Sequence, residues 1–222
     1  MGPVINRYSL NPGTDPQWKY LTDHLRSLTL LYMDSNNLKE IPAEIGTLSN
    51  LERLTLSNNH LTSLPPEIGG LEKLHSLHLA NNNFTELPAQ VCQLRQLTFL
   101  DFSDNQISTL LPGIHHLQKL ETLLLLFNSL KQLPGNVCLL RNLRTLWLGY
   151  NHLRALPENF GELVSLDWGY NYCSCNFEGN PLVRPPQEVC GGGPGEIREY
   201  FASPYRTVPQ VGKSSQSLPH SM

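Results

Sequence analysis

Apolar residues recur along this chain with two alternating periods, and the stretch from Leu51 to Lys73 shows both at once. Leu54 and Leu56 alternate around one polar position, the spacing of a short half-buried strand, whereas Ile68 and Leu71 stand three apart, the spacing of a helical or 3₁₀ turn. Between the two periods lie Asn59, Leu61, Leu64 and Pro65. The unit therefore predicts strand, turn and short helix in 23 residues. A single copy leaves an apolar edge that only another copy can cover, so copies must stack and share one core.

The copies are present. From Leu28 the pattern runs without a gap through residues 28–50, 51–73, 74–96, 97–119, 120–142 and 143–165. One asparagine recurs at a single interval, at Asn36, Asn59, Asn82, Asn105, Asn128 and Asn151, and once more at Asn180 in a seventh copy. Its amide can donate and accept at a tight turn, so it predicts a ladder that bonds backbone groups of its own coil and the next and holds the coils in register. Pro42, Pro65, Pro88, Pro134 and Pro157 stop the chain from continuing as sheet, while copy four reads Leu110-Leu111-Pro112, its proline one place on. These features predict an α/β solenoid, with a parallel sheet on the concave side and short helical or 3₁₀ segments on the convex side.

The ends follow other rules. Residues 1–27 divide into a turn-rich arm with Pro3, Asn11, Pro12 and Gly13, and a capping helix that begins at Asp15-Pro16 and carries Trp18, Leu21 and Leu25 at helical spacing. Six residues, 166–171, interrupt the register before the last copy, 172–194. A bulge at the solenoid edge, a splice variant and a sequence error would each break it in this way. Residues 195–202 hold Ile197, Tyr200 and Phe201 at helical spacing, which predicts a C-terminal capping helix. Residues 203–222, rich in Ser, Pro, Gln and Gly, predict a disordered tail.

Composition narrows the function. Sixteen Lys and Arg against nineteen Asp and Glu give a net charge of -3, which provides no field for gathering phosphates and argues against nucleic acid. The first residues lack the basic region and apolar core of a signal peptide, no apolar run approaches the ~18 residues of a membrane helix, and Asn6 stands where myristoylation after Gly2 needs Ser or Thr. A cytoplasmic protein without a membrane partner is the expectation.

The ending reads Glu178, Gly179, Asn180, Pro181, Leu182, Val183, Arg184, Pro185, Pro186, Gln187, Glu188, Val189, Cys190, then Gly193, Ile197 and Tyr200. With the 23-residue period, it resembles intracellular leucine-rich repeat proteins of the Ras-associated type, the class of Ras suppressor proteins, Ras-pathway scaffolds and the repeats of Scribble and Erbin. The resemblance covers roughly residues 28–201 and implies a signalling adaptor or scaffold. An alternative is a regulatory subunit of a small GTPase or phosphatase complex, which would change its partner's turnover.

Candidate chemistry is sparse. Cys92, Cys138 and Cys190 share one repeat position, where cysteine acts as a small apolar filler. Cys173 and Cys175 form the one close pair and lack two further ligands for zinc, so no metal is expected. His115 and His116 read as solvated surface, Asp101 and Asp104 as lone acids on the concave ladder, and Asn83-Phe84-Thr85 as a glycosylation acceptor that stays unused without a secretory route. No nucleophile–base or paired-carboxylate motif is present, so neither catalysis nor a cofactor is expected.

The informative positions lie between the leucines, where side chains point out of the sheet. Their middle column runs Tyr32, Thr55, His78, Asp101, Leu124, Trp147 and Asn176, polar first and apolar later. Phe99, Leu126, Phe127 and Tyr150 extend the apolar end. An exposed apolar strip of several hundred Å² usually marks a partner site. The strip Phe99, Leu124, Leu126, Phe127, Trp147 and Tyr150 is thus the candidate surface for a cytosolic protein partner, unless the insertion or the tail folds over it.

Overall fold

The computed structural model describes residues 4–6, 26–166 and 175–203. Its strands are β1 (Val4–Asn6), β2 (Leu30–Tyr32), β3 (Arg53–Thr55), β4 (Ser76–His78), β5 (Phe99–Asp101), β6 (Thr122–Leu124), β7 (Thr145–Trp147) and β8 (Cys175–Asn176). They form one open, parallel sheet in chain order. The register is the repeat itself: Leu31 pairs with Leu54, Leu54 with Leu77, Leu77 with Leu100, Leu100 with Leu123 and Leu123 with Leu146. A one-residue slip would turn every one of these buried leucines outward, which is why the period is held so strictly.

Between strands the chain crosses to the other side through 3₁₀ turns at Ala43–Thr47, Pro66–Gly70, Ala89–Gln93, Pro112–His116, Gly135–Leu139 and Phe160–Glu162. Pro42, Pro65 and Pro134 sit just before three of them in extended backbone, and Pro88 holds the same place at φ -60° and ψ 130°. Proline suits this place because its φ is fixed and it has no N–H to leave unpaired. In repeat four Leu111 takes the same position with φ -72° and ψ 141°, so the turn has not moved although its proline has. Neighbouring strands lie ~4.8 Å apart, closer than packed helical turns, so the sheet takes the inner side of the curve.

The space between the two layers is filled by stacked leucines. Leu54, Leu56, Leu61 and Ile68 are fully buried, as are their counterparts in repeats three to six, whereas Cys175, Leu182 and Val189 of repeat seven are only partly buried. Phe84 and Phe102 replace leucines in repeats three and four and meet edge-on at 5.2 Å, and Phe160 meets Phe177 in the same manner at 5.6 Å.

The ends differ from expectation in two places. The arm is not without structure: Val4–Asn6 pairs with Leu30–Tyr32 in parallel and covers N–H and C=O groups that the first repeat would otherwise expose. The interruption of the register begins after Leu166, not at it. Leu166 is buried and donates its N–H to the Leu163 carbonyl just as Leu143 does to Leu140, so the extra residues fall between Leu166 and Cys175. The closing helix, Pro194–Ala202, packs against the Phe160–Glu162 turn of repeat six as well as the short helix Gln187–Gly191. Ile197 is fully buried there, Arg198 donates to the Gly161 carbonyl at 2.6 Å, and Tyr200 and Phe201 are half-buried. The expected helix of residues 15–27, the insertion's own path and the expected disorder of the tail lie outside the described residues, apart from the turn at 26–27 and Ser203.

Candidate functional site

The asparagine column fixes where each coil turns, and so where the sheet-face side chains stand. Asn105 is typical: its Oδ1 accepts the Phe84 N–H at 3.0 Å, and its Nδ2 donates to Leu79 O of the preceding coil at 3.0 Å and to Phe102 O at 3.1 Å. Asn59, Asn82, Asn128, Asn151 and Asn180 make the same set. Asn36, half-buried, bonds only Met33 O and Asp34 O within its own coil among the described residues.

To present this asparagine, the residue before it turns left-handed. Ser35, Asn58, Asn81 and Asp104 do so at φ between 53° and 57°, as short polar side chains can. In repeats five and six the same backbone is imposed on Phe127 (φ 51°) and Tyr150 (φ 54°). A bulky side chain at such a φ costs about 1–3 kcal/mol. The two rings stack nearly parallel, 4.5 Å apart and 9° from coplanar, yet remain 49% and 43% exposed. Next in the column is Gly179 (φ 71°), where a Cβ would lie 2.7 Å from Tyr150 Cδ1, so only glycine leaves room for the ring.

The candidate strip is brought together in large part. Leu124 pairs with Trp147 across β6 and β7, Leu126 and Gly149 follow, and Phe127 and Tyr150 close the outer edge. Gly149 is confined: a Cβ there would meet Asn176 Oδ1 at 2.8 Å and Leu126 Cδ2 at 3.1 Å. Phe99 stands apart. Its neighbour across the sheet is Thr122, and its ring stacks on His78 at 4.5 Å. Burial pushes the His78 imidazole down, against the opposing pull of Asp101 and Asp34 and with help from Arg53.

The first repeats present a self-satisfied polar surface instead. Asp34 accepts the Thr55 hydroxyl at 2.6 Å and the Ser57 N–H at 2.7 Å, and Asn81 donates to Asn58 at 2.8 Å. At the other end, Tyr150 donates its hydroxyl to Glu178 at 3.0 Å, and this bond and the carboxylate's charge raise the hydroxyl above its ordinary pKa. Gly149, Glu178 and Gly179 complete the site but carry no periodic signal of their own in the sequence.

The repeat-position cysteines are fillers. Burial pushes the Cys92 thiol up to about 11, and burial with the nearby charges of Glu162 and Glu188 pushes Cys138 and Cys190 to about 12. In native protein at pH 8 these three thiols stay unmodified by a thiol-specific disulfide reagent, and all react in urea; rapid native reaction would contradict their burial. Because their folded pKa values lie above the ordinary 9.0, unfolded chains ionise first. Their contribution to stability is thus complete below pH 9 and is lost as pH rises through 11 to 12. Among the described residues no cluster of His, Cys, Asp and Glu could hold a metal ion, and no helix is long and apolar enough to cross a membrane.

Coils of this geometry define a repeat class, and family comparison finds it: residues 22–109 match the leucine-rich repeat region and residues 142–166 the leucine-rich repeat. This is a leucine-rich repeat protein, a class that commonly mediates protein–protein interaction and is generally non-catalytic. Similar solved structures include a leucine-rich repeat protein of Leptospira interrogans, at 29% identity over 79% of this chain and 54% of that one, with a TM-score of 0.57. An internalin of Listeria monocytogenes is 26% identical over 71% of this chain and 44% of that one (TM-score 0.62). The plant peptide hormone receptor RGFR1, in complex with RGF2, is 28% identical over 73% of this chain and 26% of that one (TM-score 0.62). The chain thus spans about half or less of these proteins. No curated protein matches it.

Proposed function

We propose that this protein is a non-catalytic adaptor or scaffold of intracellular signalling, of the Ras-associated repeat type, which holds a cytosolic protein partner on the sheet face of repeats five and six. The exposed, left-handed Phe127–Tyr150 pair carries this reading. Backbone strain and water contact at two aromatic residues both oppose stability, and a bound partner would offset the second by taking the rings out of water. That RGFR1 is found in complex with RGF2 supports a binding role for a similar array. Buried, uncharged thiols fit a reducing compartment, and the net charge of -3 speaks against nucleic acid or an anionic membrane surface as partner.

Aromatic anchors such as Trp and Tyr commonly cost 2 kcal/mol or more when lost from an interface. Trp147→Ala combined with Tyr150→Ala therefore weakens the main cytosolic partner at least roughly tenfold, while Glu52→Lys or Arg53→Glu, at the polar end, changes affinity far less. Unchanged affinity in a double variant that is folded by circular dichroism would overturn the reading.

A further inference from the structure

We infer that the sheet face of repeats four to seven takes an extended segment of a partner protein in which an aromatic residue stands between two basic residues about four positions apart. The inference rests on the binding role proposed above and specifies the ligand's chemistry. Three observations carry it. The apolar centre, Leu124, Leu126, Phe127, Trp147 and Tyr150, is bordered on both sides by carboxylates: Asp101 and Asp104 in repeat four, Glu178 in repeat seven. Asp101 is the register partner of Leu124, and Asp104 occupies the same column as Phe127. Between the borders the described sheet face carries no further charge except Glu121 and Arg144, which enter side by side at the feet of β6 and β7.

The second observation concerns the rings. One face of Phe127 is covered by Tyr150, and its other face lies on the side of Asp104. A guanidinium or ammonium placed between that face and the Asp104 carboxylate gains both an ion pair and a cation–π contact. At the opposite border, Glu178 already accepts the Tyr150 hydroxyl and keeps a second oxygen for another donor.

The third is a matter of length. Along that column, from Asp104 to Gly179 beside Glu178, are three strand steps of ~4.8 Å, about 14 Å. An extended chain rises ~3.3 Å per residue, so basic residues about four apart reach both borders and set the residue between them on the aromatic stack. The segment runs across the strands, along the axis of the array.

The test uses the full chain and a fluorescent peptide, Gly-Ser-Arg-Ser-Trp-Ser-Arg-Ser-Gly, read by anisotropy, with versions carrying Glu for both Arg, or Ala for Trp. The Arg peptide is expected to bind at least about tenfold more tightly than either version, and to weaken as much at ~0.5 M salt. Asp101→Asn with Asp104→Asn and Glu178→Gln keeps side-chain shape and hydrogen-bonding capacity, so it removes this preference without unfolding the array. Equal binding of the Glu peptide, or a triple variant that binds like wild type, overturns the inference. So does a concentration-dependent dimer that Tyr150→Ala dissociates, because the occupant is then a second copy. If the triple variant leaves the cytosolic partner's affinity intact while Trp147→Ala with Tyr150→Ala abolishes it, the basic ligand is wrong and the binding face stands.

Discussion

Replacing Asn105 by Ala lowers the unfolding free energy by at least about 3 kcal/mol, more than most single substitutions of a polar residue. The side chain closes buried bonds from Phe84 N–H and to the carbonyls of Leu79, Phe102 and Ser103. Alanine fills none of them, and each buried group left unpaired costs about 1–3 kcal/mol. Two of those groups belong to the preceding coil, so the loss falls on the contact between coils, where a stacked array stores most of its stability. Asn36→Ala provides the internal contrast. Asn36 is half-buried, so water can take over its bonds to Met33 O and Asp34 O, and its loss costs about 1 kcal/mol. Urea unfolding of both variants decides the matter: equal costs would mean that the ladder does not couple coils.

Much of this was legible in the residues because the solenoid repeats one solution. A single interval between asparagines gave the coil length, and the alternation around Leu54 or Leu77 gave the buried face of each strand. Deviations from the period were less readable. Leu110-Leu111-Pro112 looks like a displaced turn, yet Leu111 adopts the backbone of a proline and the turn stays in place, because the stacked neighbours dictate it. Leu166 looks like the start of an interruption but keeps its place in the core. For the candidate site, the sequence shows apolar residues at exposed positions and therefore the strip. It does not show that Phe127 and Tyr150 turn left-handed and stack, since that backbone follows from the asparagine after each of them and not from the aromatic residue itself. Nor does periodicity say where a helix goes once the repeats end. After Gly193 the chain turns back onto repeat six, and only Gly161, which gives the helix room, hints at that contact.

That contact supports the second large effect: Ile197→Ala is expected to cost about 2–4 kcal/mol and to lower the melting temperature clearly. Ile197 is fully buried, and its helix closes an end of the core that would otherwise face water, as terminal repeats require. The helix approaches closely because position 161 has no side chain. A Cβ there would stand 2.8 Å from Arg198 Cβ and 2.9 Å from the Pro194 carbonyl, so Gly161→Ala pushes the helix away at a cost of about 1–3 kcal/mol. Both substitutions act on one docking event and cannot each remove it in full. Their combined cost should therefore fall short of the sum by more than about 0.5 kcal/mol in a double-mutant cycle. Val183→Ala, at a side chain 65% exposed, should stay within about 0.5 kcal/mol of wild type. Strict additivity of the Gly161 and Ile197 costs would mean that the two residues stabilise the end of the array separately, and that the helix is not the lid on repeat six.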